Sequence, residues 1–481
     1  MAQLDAIRKT LEDHGQAHLL RFYGELDPPQ QKALLEQLAT IDFDRLDGHI
    51  EQYVRQRPEF SLPERIDPPR ILPAHPTEEL ADEYARARER GEQLLAEGKV
   101  AAFVVAGGQG TRLDYDGPKG CFEVTPVTHK PLFQTFAEQI LAAGRRAEAP
   151  IPWYVMTSTV NDVQTRAFFR RHHFFGLDEK DVFFLVQGTM PAIGLDGRLL
   201  LANRGRVAMS PDGHGGSLSA LRNSGALDDM AERGIELISY FQVDNPLVRC
   251  IDPLFLGLHE IRGAEMSAKG LLKRDPCEKV GNFTVVDGKA VVIEYMDFPK
   301  ELAEATTDDG RLRFSAGSIA IHVLNRGFVE RLTADGRCEL PLHRADKKVA
   351  FLDESGRTVK PDEPNAVKLE MLVFDALPMA SATVVLETER SEEFSPVKNA
   401  TGPDSPTTCL HDQVRRAAGW LEEAGVHVPR DADGQVAAAI EISPLYADSA
   451  EQLAAKVDRG LTISAGQTVY LGSRGQTGGL R

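Results

Sequence analysis

Nothing in this sequence staples the chain or carries it across a bilayer. Its 481 residues include five cysteines, at 121, 250, 277, 338 and 409, odd in number and scattered, with no CxxC pair. That argues against a disulfide framework and against the paired ligands of a structural zinc site, and leaves free thiols as the expectation. No apolar run approaches the roughly 18 residues a membrane helix needs. The opening MAQLDAIRKTLEDHGQAHLL lacks the apolar centre of a secretory signal. A cytoplasmic protein without a membrane partner is expected. No Lys/Arg-rich run occurs, and 55 basic against 72 acidic residues give a formal charge of −17. Nucleic acid is therefore a poor partner, whereas a small anionic substrate needs only a few converging cations. There is no GxxxxGK[ST] loop, internal repeat or low-complexity tract.

What is present has the texture of a globular chain, 42% hydrophobic and 26% charged, with a length that implies two or three domains. Leu4, Ile7 and Leu11 fall at helical spacing, as do the apolar residues of QQKALLEQLATIDFDRL and the segment EELADEYARARERGEQLLAEG. Residues 1–95 thus read as a helical N-terminal region, broken by the proline-rich 63–76. From 96 to about 400, short apolar runs (VAAFVVA, PWYVMTS, DVFFLVQ, IELISYFQVDN) alternate with helical stretches. This is the signature of an α/β domain with a mostly parallel sheet. GNFTVVDGKAVVIEY adds a hairpin signalled by its Asp-Gly pair. TGPDSPTT marks a boundary, and 401–481 reads as a small α+β C-terminal domain. In RRHH, residues 170–173, the cations suit the last turn of a helix.

The first apolar run ends in AGGQGTRLDYDGPKG, residues 106–120. Glycines after a strand let backbone N–H groups approach a phosphate. A dinucleotide fold would want GxGxxG with the helix starting inside it; here the last glycine is missing and a segment carrying Lys119 intervenes. Arg112 and Lys119 fit another plan, a loop that wraps a nucleoside triphosphate and neutralises its charge, with a planar fork and a compact ammonium.

The string GGxGTRLxxxxPKG closely resembles the nucleotidyltransferase loop of the UDP-sugar pyrophosphorylases, in particular the eukaryotic-type UDP-N-acetylhexosamine enzymes. WYVMTS, FFRRHHFFGL, VAMSPDGHGGSLSAL, FQVDNPLVR, KLEMLVFDAL, EEFSPVKN and EISPLYADSAEQL resemble further family segments, in family order. The resemblance implies a Rossmann-like, GT-A-like catalytic domain. It also implies in-line attack by a sugar 1-phosphate on the α-phosphorus of UTP, with Mg²⁺ as cofactor and pyrophosphate as product. By the same resemblance, Gly107, Gly108 and Gly110 pack on the nucleotide, Arg112 and Lys119 hold its phosphates, and Thr157 and Gln187 face the uracil. Pro211, Gly213 and the Gly215-Gly216 pair imply close backbone approach to ligand. Asp244 would bind the metal, with Asn245 shaping the sugar site. Glu294 and Tyr295 would take sugar hydroxyls, and Lys368 and Lys398 would reach the phosphates from the opposite side.

Three positions depart from the acetylhexosamine pattern. His214 and Ser318 stand where those enzymes carry asparagine, and Asp114 replaces a glycine. UDP-glucose or a broader set of UDP-sugars is therefore the alternative product to UDP-N-acetylglucosamine. A non-catalytic nucleotide-sugar sensor would be expected to lose Arg112, Lys119, Asp244 or Lys398, and all four are present.

Overall fold

The computed structural model describes residues 2–56 and 62–472. They form two compact units, each assembled from separated stretches. The first holds Met1–Glu64, Gln187–Ser217 and Leu340–Val373; the second holds Arg65–Val186, Leu218–Glu339 and Phe374–Arg481. The sequence reading has three consecutive segments instead. Packing between stretches remote in sequence, which no local pattern records, draws these units across that division.

The second unit is built on a nine-stranded sheet. Its strands are β1 (Val100–Val105), β2 (Trp153–Thr157), β3 (Val182–Val186), β4 (Leu237–Gln242), β5 (Met266–Leu272), β6 (Gly281–Val286), β7 (Lys289–Ile293), β8 (Ala316–Asn325) and β9 (Thr383–Glu387). The order is β7-β6-β8-β4-β1-β2-β3, with β5 joined to β8 and β9. The block β4-β1-β2-β3 is parallel throughout, as the βαβ alternation implies; β8 runs antiparallel to β4. Every residue of β1 and β2 is buried, which is why they read as unbroken apolar runs, the mark of strands covered on both faces. Asp287 and Gly288 turn β6 into β7 at φ +49° and +77°, bringing Val286 opposite Lys289, the hairpin that their sequence signals.

Helices α1 (Ala81–Ala96), α2 (Leu132–Ala147), α3 (Pro253–Ile261) and α4 (Pro406–Glu423) belong to this unit. A Cβ on Gly91 would lie 1.8 Å from the Pro253 carbonyl oxygen, and one on Gly257 would lie 1.7 Å from that of Ala87. The two glycines thus permit the close α1–α3 crossing. The Asp162–Arg171 helix ends at the RRHH cluster, as expected from its cations. The proline-rich stretch adds bridges Asp67–Val285 and Leu72–Leu386 to the sheet, so it is not simply a helix breaker. Trp420, Leu421, Ile440, Leu453 and Val469 form a separate apolar cluster in the C-terminal part. The five cysteines are free. Among the described residues no helix is long and apolar enough to cross a membrane.

In the first unit, the helices Ala2–Asp13, Pro28–Ala39 and Phe43–His49 bury Leu11, Leu34, Leu38 and Phe43 with Ile193, Val367 and Leu369. Ala366–Met371 pairs antiparallel with Leu342–Lys347. Alternation sends Val367 and Leu369 to the core and leaves Lys368 on the other face.

Candidate functional site

In the second unit the glycine loop leaves the carboxyl end of β1 and folds back on itself. Gly110 N–H donates to the Gly117 carbonyl (2.9 Å), and Lys119 N–H to that of Gly108 (3.1 Å). Nothing stands within 4 Å of where a Gly108 Cβ would be, so that backbone faces open space. Gly110 is glycine for another reason: its Cβ would meet Tyr115 Cδ1 at 2.6 Å. Asp114 is exposed in the left-handed region at φ +54°, a conformation suited to the glycine it replaces.

Four of the expected groups come together here. Lys119 is only 7% exposed. Burial pushes its ammonium below the usual lysine range; the Asp244 carboxylate opposes that shift, and Arg112 and Lys398 reinforce it. Lys119 Nζ lies 3.5 Å from the Val397 carbonyl. A partly desolvated ammonium beside two further cations is under-compensated, a ready site for a polyanion. Asp244 follows β4, where ligands of open α/β sheets are expected.

Asn245 is buried; its Nδ2 donates to the Glu393 carbonyl (2.6 Å) and its Oδ1 accepts from Ser395 N–H (3.0 Å). It therefore clamps the segment that carries Lys398, a different task from the sugar contact expected of it. Thr157 is fully buried, its hydroxyl 2.7 Å from Asp162 Oδ1 and 3.1 Å from the Leu185 carbonyl. Its side chain braces the sheet. Ser318 pairs in register with Gly281. A Cβ on Gly281 would lie 3.4 Å from Glu294 Oε1 and 3.8 Å from Ser318 Cβ, so Glu294 and Ser318 share one face over a bare backbone. Tyr295 is 39% exposed beside them in sequence.

Gln187, Pro211, Gly213, His214 and Lys368 belong to the first unit. Gln187 Nε2 donates to the Gly213 carbonyl (2.7 Å) and to Asp212 Oδ1 (3.1 Å). Pro211 is exposed, opposite Thr189. The glycines of the PDGHGG loop answer to protein. A Cβ on Gly213 would lie 2.2 Å from the Met371 carbonyl oxygen, one on Gly215 2.8 Å from Leu372 N, and one on Gly216 2.1 Å from Asp212 Oδ1. On the side where a Cβ would stand, these glycines admit the 371–372 backbone and a buried carboxylate. His214 Nδ1 accepts from Val373 N–H at 3.1 Å, which puts the ring proton of neutral His214 on Nε2.

Sequence reasoning missed two supports. Asn161 donates to the Ala106 (2.9 Å) and Gly108 (3.2 Å) carbonyls, tying the glycine loop to the turn after β2. Its signal was the Ser158-x-x-Asn161 spacing, since Asn161 Oδ1 accepts from Ser158 N–H at 2.8 Å. Glu441 holds the hairpin behind Lys119: its Oε2 accepts from the N–H groups of Val127 (2.9 Å) and Thr128 (2.7 Å), and the Thr128 hydroxyl donates to Oε1.

A glycine loop and clustered cations at the carboxyl ends of parallel strands define an α/β enzyme that handles phosphate esters. The chain belongs to the UTP–glucose-1-phosphate uridylyltransferase family, whose sequence model matches residues 47–403; it is a nucleotidyltransferase that transfers the uridylyl group of UTP to a sugar 1-phosphate, releasing pyrophosphate. It is 38% identical to human UDP-N-acetylhexosamine pyrophosphorylase-like protein 1 over 94% of each chain. It is 35% identical to the UDP-N-acetylglucosamine pyrophosphorylase of Saccharomyces cerevisiae over 86% of this chain and 90% of the relative. Among solved structures it is similar to the uridine diphosphate N-acetylglucosamine pyrophosphorylase of Trypanosoma brucei, with a TM-score of 0.79, 26% identity and 95% of each chain covered.

Proposed function

We propose that this protein makes UDP-N-acetylglucosamine and pyrophosphate from UTP and N-acetylglucosamine 1-phosphate. The observation that carries this reading is the grouping of Arg112, Asp244 and Lys398 around a desolvated Lys119, whose Nζ lies 3.5 Å from the carbonyl of Val397, the residue before Lys398. In-line displacement needs no protein nucleophile. A phosphate oxygen of the sugar 1-phosphate bonds to the α-phosphorus of UTP while the bond from that phosphorus to the bridging oxygen breaks, and pyrophosphate leaves with the electron pair. What the protein supplies is positioning and charge. Arg112 and Lys119 hold the leaving phosphates, and Lys398 faces the same charge from its clamped segment; by the family resemblance Lys368 is a further phosphate-binding cation. The backbone at Gly107 and Gly108 admits the nucleotide, and Gln187 reads the base. Glu294, Tyr295 and Ser318 receive the sugar hydroxyls, and by the family resemblance His214 also bears on sugar choice.

Among the described residues no three His, Cys, Asp or Glu side chains cluster as a self-sufficient metal cage. Magnesium suits this, because it commonly takes one or two carboxylates and completes its shell with water and substrate phosphates. Asp244 is the residue that would hold it, and bound there it would neutralise charge on the phosphates. The parallel β4-β1-β2-β3 block followed by antiparallel β8 supports the Rossmann-like, GT-A-like description.

A second reading, a UDP-glucose or broader UDP-sugar enzyme, is favoured by His214 and Ser318. Pyrophosphate release from UTP and Mg²⁺ with the 1-phosphates of GlcNAc, GalNAc, glucose and galactose decides between them. Preference for an acetylated sugar supports the first reading; preference for glucose or galactose supports the second. No release with any would remove both.

A further inference from the structure

Asp212 is a carboxylate held at a cost. It is buried, 7% exposed, and its one side-chain partner among the described residues is the Gln187 amide, 3.1 Å away. Two neighbours must be glycine for it to fit: a Cβ on Gly188 would lie 2.4 Å from Asp212 Oδ2, and one on Gly216 would lie 2.1 Å from Oδ1. Burial, only partly offset by the Gln187 bond, pushes the carboxyl up to about 6. A buried, thinly compensated acid with two glycines arranged around it is a feature that stability alone does not favour.

Gln187 shows what the carboxylate does. A side-chain amide has two N–H donors at one end and an acceptor oxygen at the other, and nothing in its own shape fixes which end points where. Here the donor end faces two groups that can only accept, the Gly213 carbonyl at 2.7 Å and ionised Asp212 at 3.1 Å. Both N–H bonds are spent, and what Gln187 still offers is Oε1, an acceptor. Uracil and cytosine differ in this respect: uracil carries an N–H at ring position 3, whereas cytosine carries a lone pair there. An acceptor fixed opposite that position bonds the first base and repels the second. An asparagine at 212 could present either of its own ends, and the amide would lose half of its restraint.

We propose that Asp212 is a positioning residue for nucleobase selection, locking the Gln187 amide so that the enzyme takes UTP and rejects CTP. This rests on the reading above that Gln187 faces the base. Glycines 188 and 216 are then glycine in order to admit the carboxylate.

The test compares the kcat/KM ratio for UTP over CTP in the wild type, Asp212→Asn, Asp212→Ala and Gln187→Ala, with Tm measured at pH 7 for each. The expected result is a fall of about tenfold or more in that ratio for both Asp212 variants, the value of one lost hydrogen-bond restraint. It should come mainly from a higher KM for UTP and less from kcat, with Tm unchanged or raised because the buried charge is gone. Gln187→Ala should lose the same selectivity. If Gln187→Ala is selective as before, Gln187 does not face the base, and the base-site reading fails together with this proposal. If Gln187→Ala loses selectivity while both Asp212 variants keep it, only the role of Asp212 is overturned. Failure of both Asp212 variants to fold would make Asp212 a structural residue and would also overturn it.

Discussion

The main-chain N–H of Val397 donates to the carbonyl oxygen of Asp244 at 2.7 Å, so the residue before Lys398 is pinned to the carboxylate-bearing residue just after β4. Asn245 completes the attachment through Glu393 and Ser395. Asn245→Ala leaves two buried backbone groups without partners and should cost about 1–3 kcal/mol in denaturant unfolding. It should also lower kcat, because Lys398 is no longer held, and Asn245→Gln, which keeps the amide, should recover part of both. Loss of stability with full turnover would separate the clamp from catalysis.

Lys119→Met should separate stability from function. Burial disfavours the ammonium, so a neutral side chain of similar length should leave Tm unchanged or higher. Turnover should fall by orders of magnitude, since the phosphates lose a desolvated charge partner. Single-turnover kinetics beside a thermal scan checks both; near-normal turnover removes Lys119 from the site.

Glu441→Gln asks whether the C-terminal module shapes the phosphate loop. The hairpin behind Lys119 is closed by Val124 N–H to the Lys130 carbonyl (2.9 Å) and Leu132 N–H to that of Phe122 (3.0 Å), and Glu441 grips its tip. A glutamine puts an N–H₂ where an acceptor is needed, an expected loss of about 1–3 kcal/mol. A rise in the KM for UTP in protein shown folded by circular dichroism would mark positioning; an unchanged KM would mark a purely structural grip.

The buried trio Lys269, Asp252 and Glu393 sets an acid limit. Lys269 Nζ lies 2.6 Å from Asp252 Oδ2 and from both Glu393 oxygens. Burial alone would raise Asp252, but Lys269 and Arg249 outweigh it and hold the carboxyl below the usual aspartate range. With the folded value below the ordinary range near 4, the ionised form adds stability above pH 4. That contribution disappears as pH falls below about 4. Lys269→Met should abolish this part of the acid dependence and cost about 3–5 kcal/mol at pH 7 by stranding two carboxylates. Tm against pH for both proteins is the measurement.

Sugar choice can be moved if two positions carry it. Changing His214 and Ser318 together to asparagine should raise kcat/KM for GlcNAc 1-phosphate relative to glucose 1-phosphate, by tenfold or more if each amide gains one hydrogen bond to the acetamido group. An unchanged ratio would place selectivity in other residues.

Much of the site frame was legible because its signals are local. The glycine loop after β1, the carboxylate after β4 and the Asp287-Gly288 hairpin depend on a few adjacent residues whose backbone preferences are strong. The parallel sheet was legible from strands apolar on both faces. The PDGHGG loop marks the limit. Its glycines were legible as close approach, but sequence does not say to what, and the partners are the 371–372 backbone and Asp212, more than 150 residues away in the first case.

The sequence by itself determined the elements, the class of chemistry and the cations, because strand periodicity, glycine backbones and charged side chains are properties of short stretches. Only the tertiary structure decided which side chains remain available. Thr157 is consumed by Asp162 and Leu185, Asn245 by the Lys398 segment, and Gln187 is left with its acceptor end by Asp212 and Gly213. A hydrogen-bonding group has a fixed number of donors and acceptors, and which of them are spent depends on neighbours brought close by folding.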